Sequence, residues 1–385
     1  MAMKILPREI ADAYRFFFVT PKIDKRIVFY AEHRGYYSYF EGIIHQLITE
    51  NNQRICYFSS DPGDPIFDVR NDNIKSFYFR RILPYILIVL RARVCVMTLT
   101  DLGRYHIWRS VNQVHYMYVF HSLVSTHMIY RESAFDNYDS ILCAGPHQLA
   151  EIRRRENFKG LPEKKLVAAG YYRLERVFNN YQKTRSSHKK SSKKTVLIAP
   201  SWGEKNILEL CGERLIQELL SLNYEVIVRP HPETIRRSPE LIKLFVNKFG
   251  GNASFKLEFS ITGDDSILRA DILISDYSGI ALEYAFGTER PVLFIDVPPK
   301  VKNAKFAELQ IEPAELALRS KIGVVINPSD LNILKNSLDE LLSKEELYSK
   351  CLRSLREKYV YNFGQSSIVS AGYLMNIVNN SADQL

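Results

Sequence analysis

DILISDYSGIALEYAFGTERPVLFID, residues 271–296, is the stretch on which the fold turns. It reads as a short apolar strand ending at Ser275, a tight turn, a helix beginning around Ser278, and a second apolar strand, PVLFID. Strands that are apolar throughout are covered on both faces, the situation of a parallel sheet flanked by helices. The same alternation extends outward in both directions. Upstream lie TVLIAP, a helix over 212–223, EVIVRP, a helix over 240–248 and FKLEF; downstream, GVVI leads into apolar residues at helical spacing from 331 to 379.

The first half repeats the pattern. RIVFYAE, YFEGIIHQLITE, RICYFSS, RVCVMTL, VHYMYVF, SILCA and LVAAG alternate short β-branched or aromatic runs with helical stretches between residues 26 and 169. Between the halves TRSSHKKSSKKT, residues 184–195, has no large apolar side chain and reads as a basic linker. The expected organisation is therefore an α/β chain with a Rossmann-like domain over 1–183 on the acceptor side, a linker over 184–195, and a second Rossmann-like domain over 196–385 that binds a nucleotide donor and ends in C-terminal helices. Two Rossmann-type domains facing a cleft describe a GT-B-like architecture. In open α/β sheets ligands bind beyond the carboxyl ends of the strands, so chemistry is sought there.

Composition narrows the classes. At 385 residues, with 46% hydrophobic and 25% charged residues, 17 Gly and 16 Pro, the chain is an ordinary globular one and neither collagen, coiled coil nor disordered. Its 52 Lys and Arg against 43 Asp and Glu leave a charge of +9, which suits an anionic partner without choosing one. Nucleic acid is not expected, because no RNP, KH, zinc-finger or helix-turn-helix pattern accompanies the charge. Five scattered cysteines without a CxxC pair indicate neither a disulfide framework nor a zinc site and favour a reducing cytoplasm. Arg8, Glu9 and Asp12 interrupt the start where a secretion signal would be apolar. RRILPYILIVLRAR, residues 80–93, is too short to span a bilayer; its Arg80, Arg81, Arg91 and Arg93 mark either a helix on an anionic membrane surface or a buried domain helix with exposed ends.

Three strand ends carry candidate chemistry. Asp276, Ser278 and Gly279 stand at the strand-to-helix junction, where free backbone N–H groups, a close approach at Gly279 and the Ser278 hydroxyl suit a phosphate. Glu283, one turn on, can accept hydrogen bonds from ribose hydroxyls; the plainer alternative is a cap and an exposed helix residue. In EVIVRPHPET, Arg229 and His231 can neutralise phosphate oxygens, with His231 fixed between two prolines or simply anchoring a loop. His121 follows the strand VHYMYVF, where it suits a general base, and His127 competes for that role. Ser201 in IAPSW and Arg173 in AAGYYRLE follow further strands and are donor-side candidates; His33, Arg34 and Tyr36 in AEHRGYYSYF, together with His127, are acceptor-side candidates. No metal-ligand spacing joins the histidines.

Taken together, AAGYYRLE, IAPSW, RPHP and ADILISDYSGIALEYAFGTERPVLF resemble the bacterial CDP-glycerol glycerophosphotransferases of teichoic-acid and capsule synthesis, over roughly residues 115–297. The resemblance implies a GT-B-like transferase, cytoplasmic and peripheral to the membrane, that moves a polyol phosphate from a CDP-polyol to a hydroxyl of a cell-surface glycan or lipid-linked acceptor. It further implies catalytic and phosphate-binding roles for His121 and His231, and places Arg229, Asp276 and Ser278 around the donor. The family commonly has His-Gly-Thr where this chain has His121, Ser122 and Leu123. No cofactor is required by such a mechanism, and Mg2+ can accompany the nucleotide donor. The alternative is a GT-B glycosyltransferase using a UDP- or CMP-sugar.

Overall fold

The apolar runs become strands of three to five residues in the computed structural model, which describes residues 5–185, 193–259 and 263–380. In the first unit these are β1 (Ile27–Ala31), β2 (Ile55–Ser59), β3 (Ile74–Tyr78), β4 (Val94–Met97), β5 (His115–Val119), β6 (Ser140–Cys143) and β7 (Lys165–Ala168). They form one parallel sheet in the order β3-β2-β1-β4-β5-β6-β7, with Val28 opposite Cys56 and Ile27 opposite Val94. Edge strand β3, which the sequence does not announce, is half-buried over Ile74, Lys75 and Ser76 because it has a neighbour on one side only. The second unit contains β8 (Thr195–Ile198), β9 (Glu225–Val228), β10 (Phe255–Leu257), β11 (Ile272–Ser275), β12 (Val292–Ile295) and β13 (Gly323–Ile326), again all parallel, in the order β10-β9-β8-β11-β12-β13.

In each sheet the strand order reverses once, between β1 and β4 and between β8 and β11. Crossover connections leave these strands from opposite faces, so a crevice opens at their carboxyl ends. The expected strand end at Ser275 is where β11 stops, and the following helix is Gly279–Thr288 with Ser278 as its N-cap residue.

Met1–His121, Tyr130–Arg173 and Val360–Leu385 make up the first unit, and Ser122–Ile129 with Leu174–Tyr359 the second. This division differs from a single boundary within residues 184–195. The last helix, Ser366–Asn380, belongs to the first unit: Ala371, Leu374 and Val378 are part of its core with Phe40, Ile43 and Leu47. Gly42 makes that packing close, since a Cβ there would lie 2.2 Å from Ser367 Oγ. The helix Tyr172–Arg185 runs through the expected first boundary, and residues 186–192 of the expected linker lie outside the described residues.

The segment RRILPYILIVLRAR yields a six-residue helix, Leu83–Ile88, with Leu83, Ile86 and Leu87 buried; Arg93 is buried as well. Its buried side faces the core, while Tyr85 and, one turn on, Val89 are exposed. Among the described residues no helix is long and apolar enough to cross a membrane. All five cysteines are free thiols, and only Cys351 is exposed.

Candidate active site

At the β8–β11 switch point the sequence candidates converge. Ser201, just beyond β8, donates its backbone N–H to Asp276 Oδ1 at 2.7 Å, and Ser275 Oγ donates to the Ala199 carbonyl at 2.8 Å. Asp276 thus ties two strand ends together from a buried position; desolvation pushes its carboxyl up, opposed by the Ser201 bonds and the nearby Lys300. Ser278, the N-cap residue of this ten-residue helix, makes no side-chain cap bond, and the first-turn N–H groups of such a helix are not used by the helix itself. Gly279 is required by sterics: a Cβ there would stand 2.1 Å from Ser122 Oγ. Glu283 is buried in a helix whose residues from Ala281 to Thr288 are all buried, so it is no exposed helix residue.

Beyond neighbouring strand β9, His231 is the N-cap of the helix Pro232–Arg237, its Nδ1 accepting the Glu233 backbone N–H at 3.1 Å. That bond assigns the proton of the neutral ring to Nε2, the atom that can donate to a phosphate oxygen. Arg229 is buried, with Nη1 bonded to Ser266 Oγ at 3.3 Å, and contributes charge from behind the strand end. The turn between β11 and its helix is held from below by Arg319, which donates to the Tyr277 hydroxyl at 2.6 Å and to Asp296 at 3.0 Å.

Trp202, the residue after Ser201, is ringed by cations. Lys300 Nζ lies 3.8 Å from its ring centroid, the Arg237 guanidinium 4.8 Å and Lys302 Nζ 5.3 Å, while the His231 ring is 5.9 Å away. Burial and the charge of Lys302 push Lys300 down to about 7. These cations were absent from the sequence candidates. The signal for them was their position: Lys300 and Lys302 follow β12, the neighbour of β11 in the sheet.

In the first unit the β1–β4 reversal and the end of β5 bear a different chemistry. His121, two residues past β5, is packed among Tyr36, Tyr39 and Tyr130, with ring centroids 5.4, 6.1 and 6.0 Å away, and its Nδ1 is 3.5 Å from the Tyr118 hydroxyl. Arg173, expected on the donor side, lies in this unit instead, its guanidinium 5.6 Å from the Tyr39 ring and its Nη1 3.5 Å from Ser38 Oγ. Arg34 is held by Asp61 in a two-point pair of 2.8 and 3.0 Å; burial raises Asp61, but these bonds and the Gly63 and Arg34 N–H groups outweigh it and hold the carboxyl at about 2. His33 is half-exposed and accepts the Gly35 N–H at 3.1 Å. Tyr36, an acceptor-side candidate, thus meets His121.

Glu32, directly after β1, went unremarked in the sequence. It keeps solvent access yet is ringed by protein atoms, and that desolvation, with the charge of Asp101, pushes its carboxyl up to about 7. His127 is buried in the second unit, with Nε2 bonded to the Ile311 carbonyl at 3.0 Å and its own carbonyl held by Asn303 at 2.9 Å. A small cavity lined by Ile43, Leu142, Tyr171 and Ser370 faces the first unit's core and contains none of the candidates. Among the described residues no group of His, Cys, Asp or Glu is arranged to hold a metal ion.

A family model described as CDP-Glycerol:Poly(glycerophosphate) glycerophosphotransferase matches residues 12–297. No curated protein matches by sequence. Among solved structures, the wall teichoic acid polymerase TagF soaked with CDPG superimposes with a TM-score of 0.63 at 18% identity, covering 99% of this chain and 96% of that one. A UDP-GlcNAc 2-epimerase from Neisseria meningitidis bound to UDP-GlcNAc gives 0.61 at 12% identity, covering 91% and 99%. The corresponding epimerase from Methanocaldococcus jannaschii gives 0.57 at 14%, covering 92% and 99%. At such identities these likenesses show a shared GT-B-like fold.

Proposed function

The chain belongs to the CDP-glycerol:poly(glycerophosphate) glycerophosphotransferase family, enzymes that transfer glycerol phosphate from CDP-glycerol, and from that premise we propose how its residues divide the reaction. The donor pyrophosphate lies at the uncapped start of the helix Gly279–Thr288, the observation that carries the assignment, with Ser278 Oγ and His231 Nε2 donating to its oxygens and Arg229 adding charge from beneath. Asp276 and Ser201 hold the strand ends that shape this site, and Glu283 serves the nucleoside side. His121 takes the proton of the acceptor hydroxyl as its oxygen attacks the β-phosphorus. The bridging P–O bond breaks, CMP departs with the electron pair, and glycerol phosphate remains on the acceptor oxygen. Phosphoryl transfer of this kind is mostly positioning and charge stabilisation, the work for which these residues are suited.

No protein-bound cofactor enters these steps; any Mg2+ would arrive on the donor phosphates. The acceptor is a glycan or lipid-linked hydroxyl, approached from the tyrosine-lined corner around His121. We place the enzyme in the cytoplasm, in keeping with its free cysteines, and against an anionic membrane surface. The support for that surface is a row at four-residue spacing, Leu6, Ile10, Tyr14 and Phe18, exposed by 41, 58, 62 and 78%. Glu9 Oε1 accepts the backbone N–H groups of Arg80 and Arg81 at 2.5 and 2.8 Å, which sets two exposed arginines beside the row. Flotation with phosphatidylglycerol vesicles that is abolished by Phe18→Asp supports this surface, and flotation unaffected by that change refutes it.

The donor is tested by incubating the protein with CDP-glycerol, CDP-ribitol, UDP-sugars and CMP-sugars in turn, with an acceptor extract. CMP release with phosphorus in the product is expected with CDP-glycerol. UDP release, or CMP release without product phosphorus, overturns it.

A further inference from the structure

We propose that Lys300, supported by Lys302 and Arg237 around the Trp202 ring, is a phosphate-binding residue of the donor site, contributed by the segment after β12. Lys300 lies outside the span of the family match, residues 12–297. Three side-chain cations within 5.3 Å of one indole centroid repel one another, and cation–π attraction offsets only part of that cost when the groups are partly desolvated. An arrangement of this kind is completed by an anion. The groups facing Lys300 are Lys302 and Arg237, which disfavour its charge, and Asp276 and Glu233, which favour it. Two carboxylates face the three cations: Glu233 pairs with Arg236 at 2.7 Å and with Arg237 of the cluster at 2.9 Å, and Asp276, bonded to the Ser201 N–H through Oδ1, is buried with its carboxyl pushed up.

Topology sets these cations beside the helix start. β12 is hydrogen-bonded to β11, so the chain leaving β12 returns beside the Asp276–Ser278 turn; Trp202 leaves β8 on the other side of β11, and His231 leaves β9 beyond that. The cations and the uncapped helix start thus share the carboxyl edge of one sheet. A pyrophosphate spans two phosphoryl groups, one for the helix N–H groups and one for Lys300. Burial and the charge of Lys302 push the Lys300 amine down, so Lys300 gains a proton as the donor's anionic groups bind.

This inference rests on CDP-glycerol being the donor, and the test separates the two. Binding of CDP-glycerol, cytidine and inorganic pyrophosphate is measured by calorimetry for the parent chain, Lys300→Met and Lys300→Arg, with melting temperatures to verify folding. K300M is expected to bind CDP-glycerol about ten- to hundredfold more weakly, with cytidine affinity unchanged and K300R close to the parent. In buffers of different ionisation enthalpy the parent takes up a proton on binding near pH 7.5 and K300M does not. Equal CDP-glycerol affinity of parent and K300M overturns the proposal, as does a K300M effect confined to the KM of the acceptor. A parent that fails to bind CDP-glycerol sinks the donor assignment alone; pyrophosphate binding that depends on Lys300 then still supports the phosphate site, and binding independent of Lys300 overturns it. If K300M does not fold, Lys302→Met and the parent's proton uptake decide in the same way.

Discussion

The two strand-order reversals of this molecule have the same topology and opposite chemistry. At β1–β4 and the end of β5 the site is aromatic: one histidine among three tyrosine rings, with a carboxyl, Glu32, that keeps solvent access yet is pushed up to about 7 by the protein atoms around it. At β8–β11 it is cationic: a helix start, a histidine fixed as a donor, and an amine, Lys300, pushed down to about 7 by burial and a neighbouring lysine. The scaffold supplies a crevice in both cases, and the side chains just past each strand decide its use. One corner is suited to removing a proton from a neutral hydroxyl, the other to holding a polyanion.

The sharpest way to break this contrast is to exchange its histidines' effects. His121→Asn should lower kcat by about 10²- to 10⁴-fold with the CDP-glycerol Kd unchanged, because the proton acceptor is lost and the donor site is not. His231→Ala should weaken CDP-glycerol binding by about ten- to hundredfold and lower turnover, while costing the fold about 1 kcal/mol through its cap bond. If His121→Asn instead weakens the donor and His231→Ala spares it, the assignment of the corners is inverted. Steady-state kinetics with calorimetric donor titration distinguishes the cases.

A smaller effect sharpens the geometry of the cationic corner. Gly279→Ala puts a methyl 2.1 Å from Ser122 Oγ and should cost about 1–3 kcal/mol of stability by overpacking. The double variant Gly279→Ala/Ser122→Gly should recover most of it in chemical denaturation, and failure to recover would mean that Ser122 is not the obstacle.

The smallest effects concern pH and have opposite signs in the two corners. The folded state raises Glu32 from 4.5 to about 7, so it holds the proton longer than the unfolded chain does, and stability from this group declines as pH rises from 4.5 to 7. Glu32→Gln should therefore raise the Tm at pH 8 by a few degrees at most and do nothing at pH 4, on the order expected for a partly solvated group. Lys300 is lowered from 10.5 to about 7, so the unfolded chain holds its proton longer; the cost is full below 7 and fades as pH rises toward 10.5. Lys300→Met should raise the Tm without donor by a few degrees at pH 6.5 and not at pH 10.5. Scanning calorimetry in which the Tm gain of both variants changes in the same direction as pH rises would erase the contrast.

How far the sequence reaches is visible in particular residues. Asp276, Ser278 and Gly279 are legible because a strand, a turn and a helix start are all local patterns, and Arg229 and His231 follow a strand in the same way. Arg173 reads as a donor contact and is found with the tyrosines of the first unit, because its position depends on which face a helix presents. His127 and His121 look equivalent in sequence, six residues apart; one is spent on the Ile311 carbonyl, a partner 184 positions away. Lys300 and Glu32 are unremarkable in sequence, since burial of a charge is created by distant segments.

By itself, then, the sequence determined the alternation of strands and helices, the parallel character of both sheets and the strand ends that carry the candidate residues, all of which follow from short-range periodicity and turn chemistry. Tertiary structure alone decided that the last helix joins the first core through Ala371, Leu374 and Val378. It also decided that β12 lies beside β11 and brings Lys300 to Trp202, and that His127 bonds the Ile311 carbonyl while His121 lies among tyrosine rings. The physical reason is that packing, desolvation and Coulomb interactions depend on distance in space, which sequence separation does not encode.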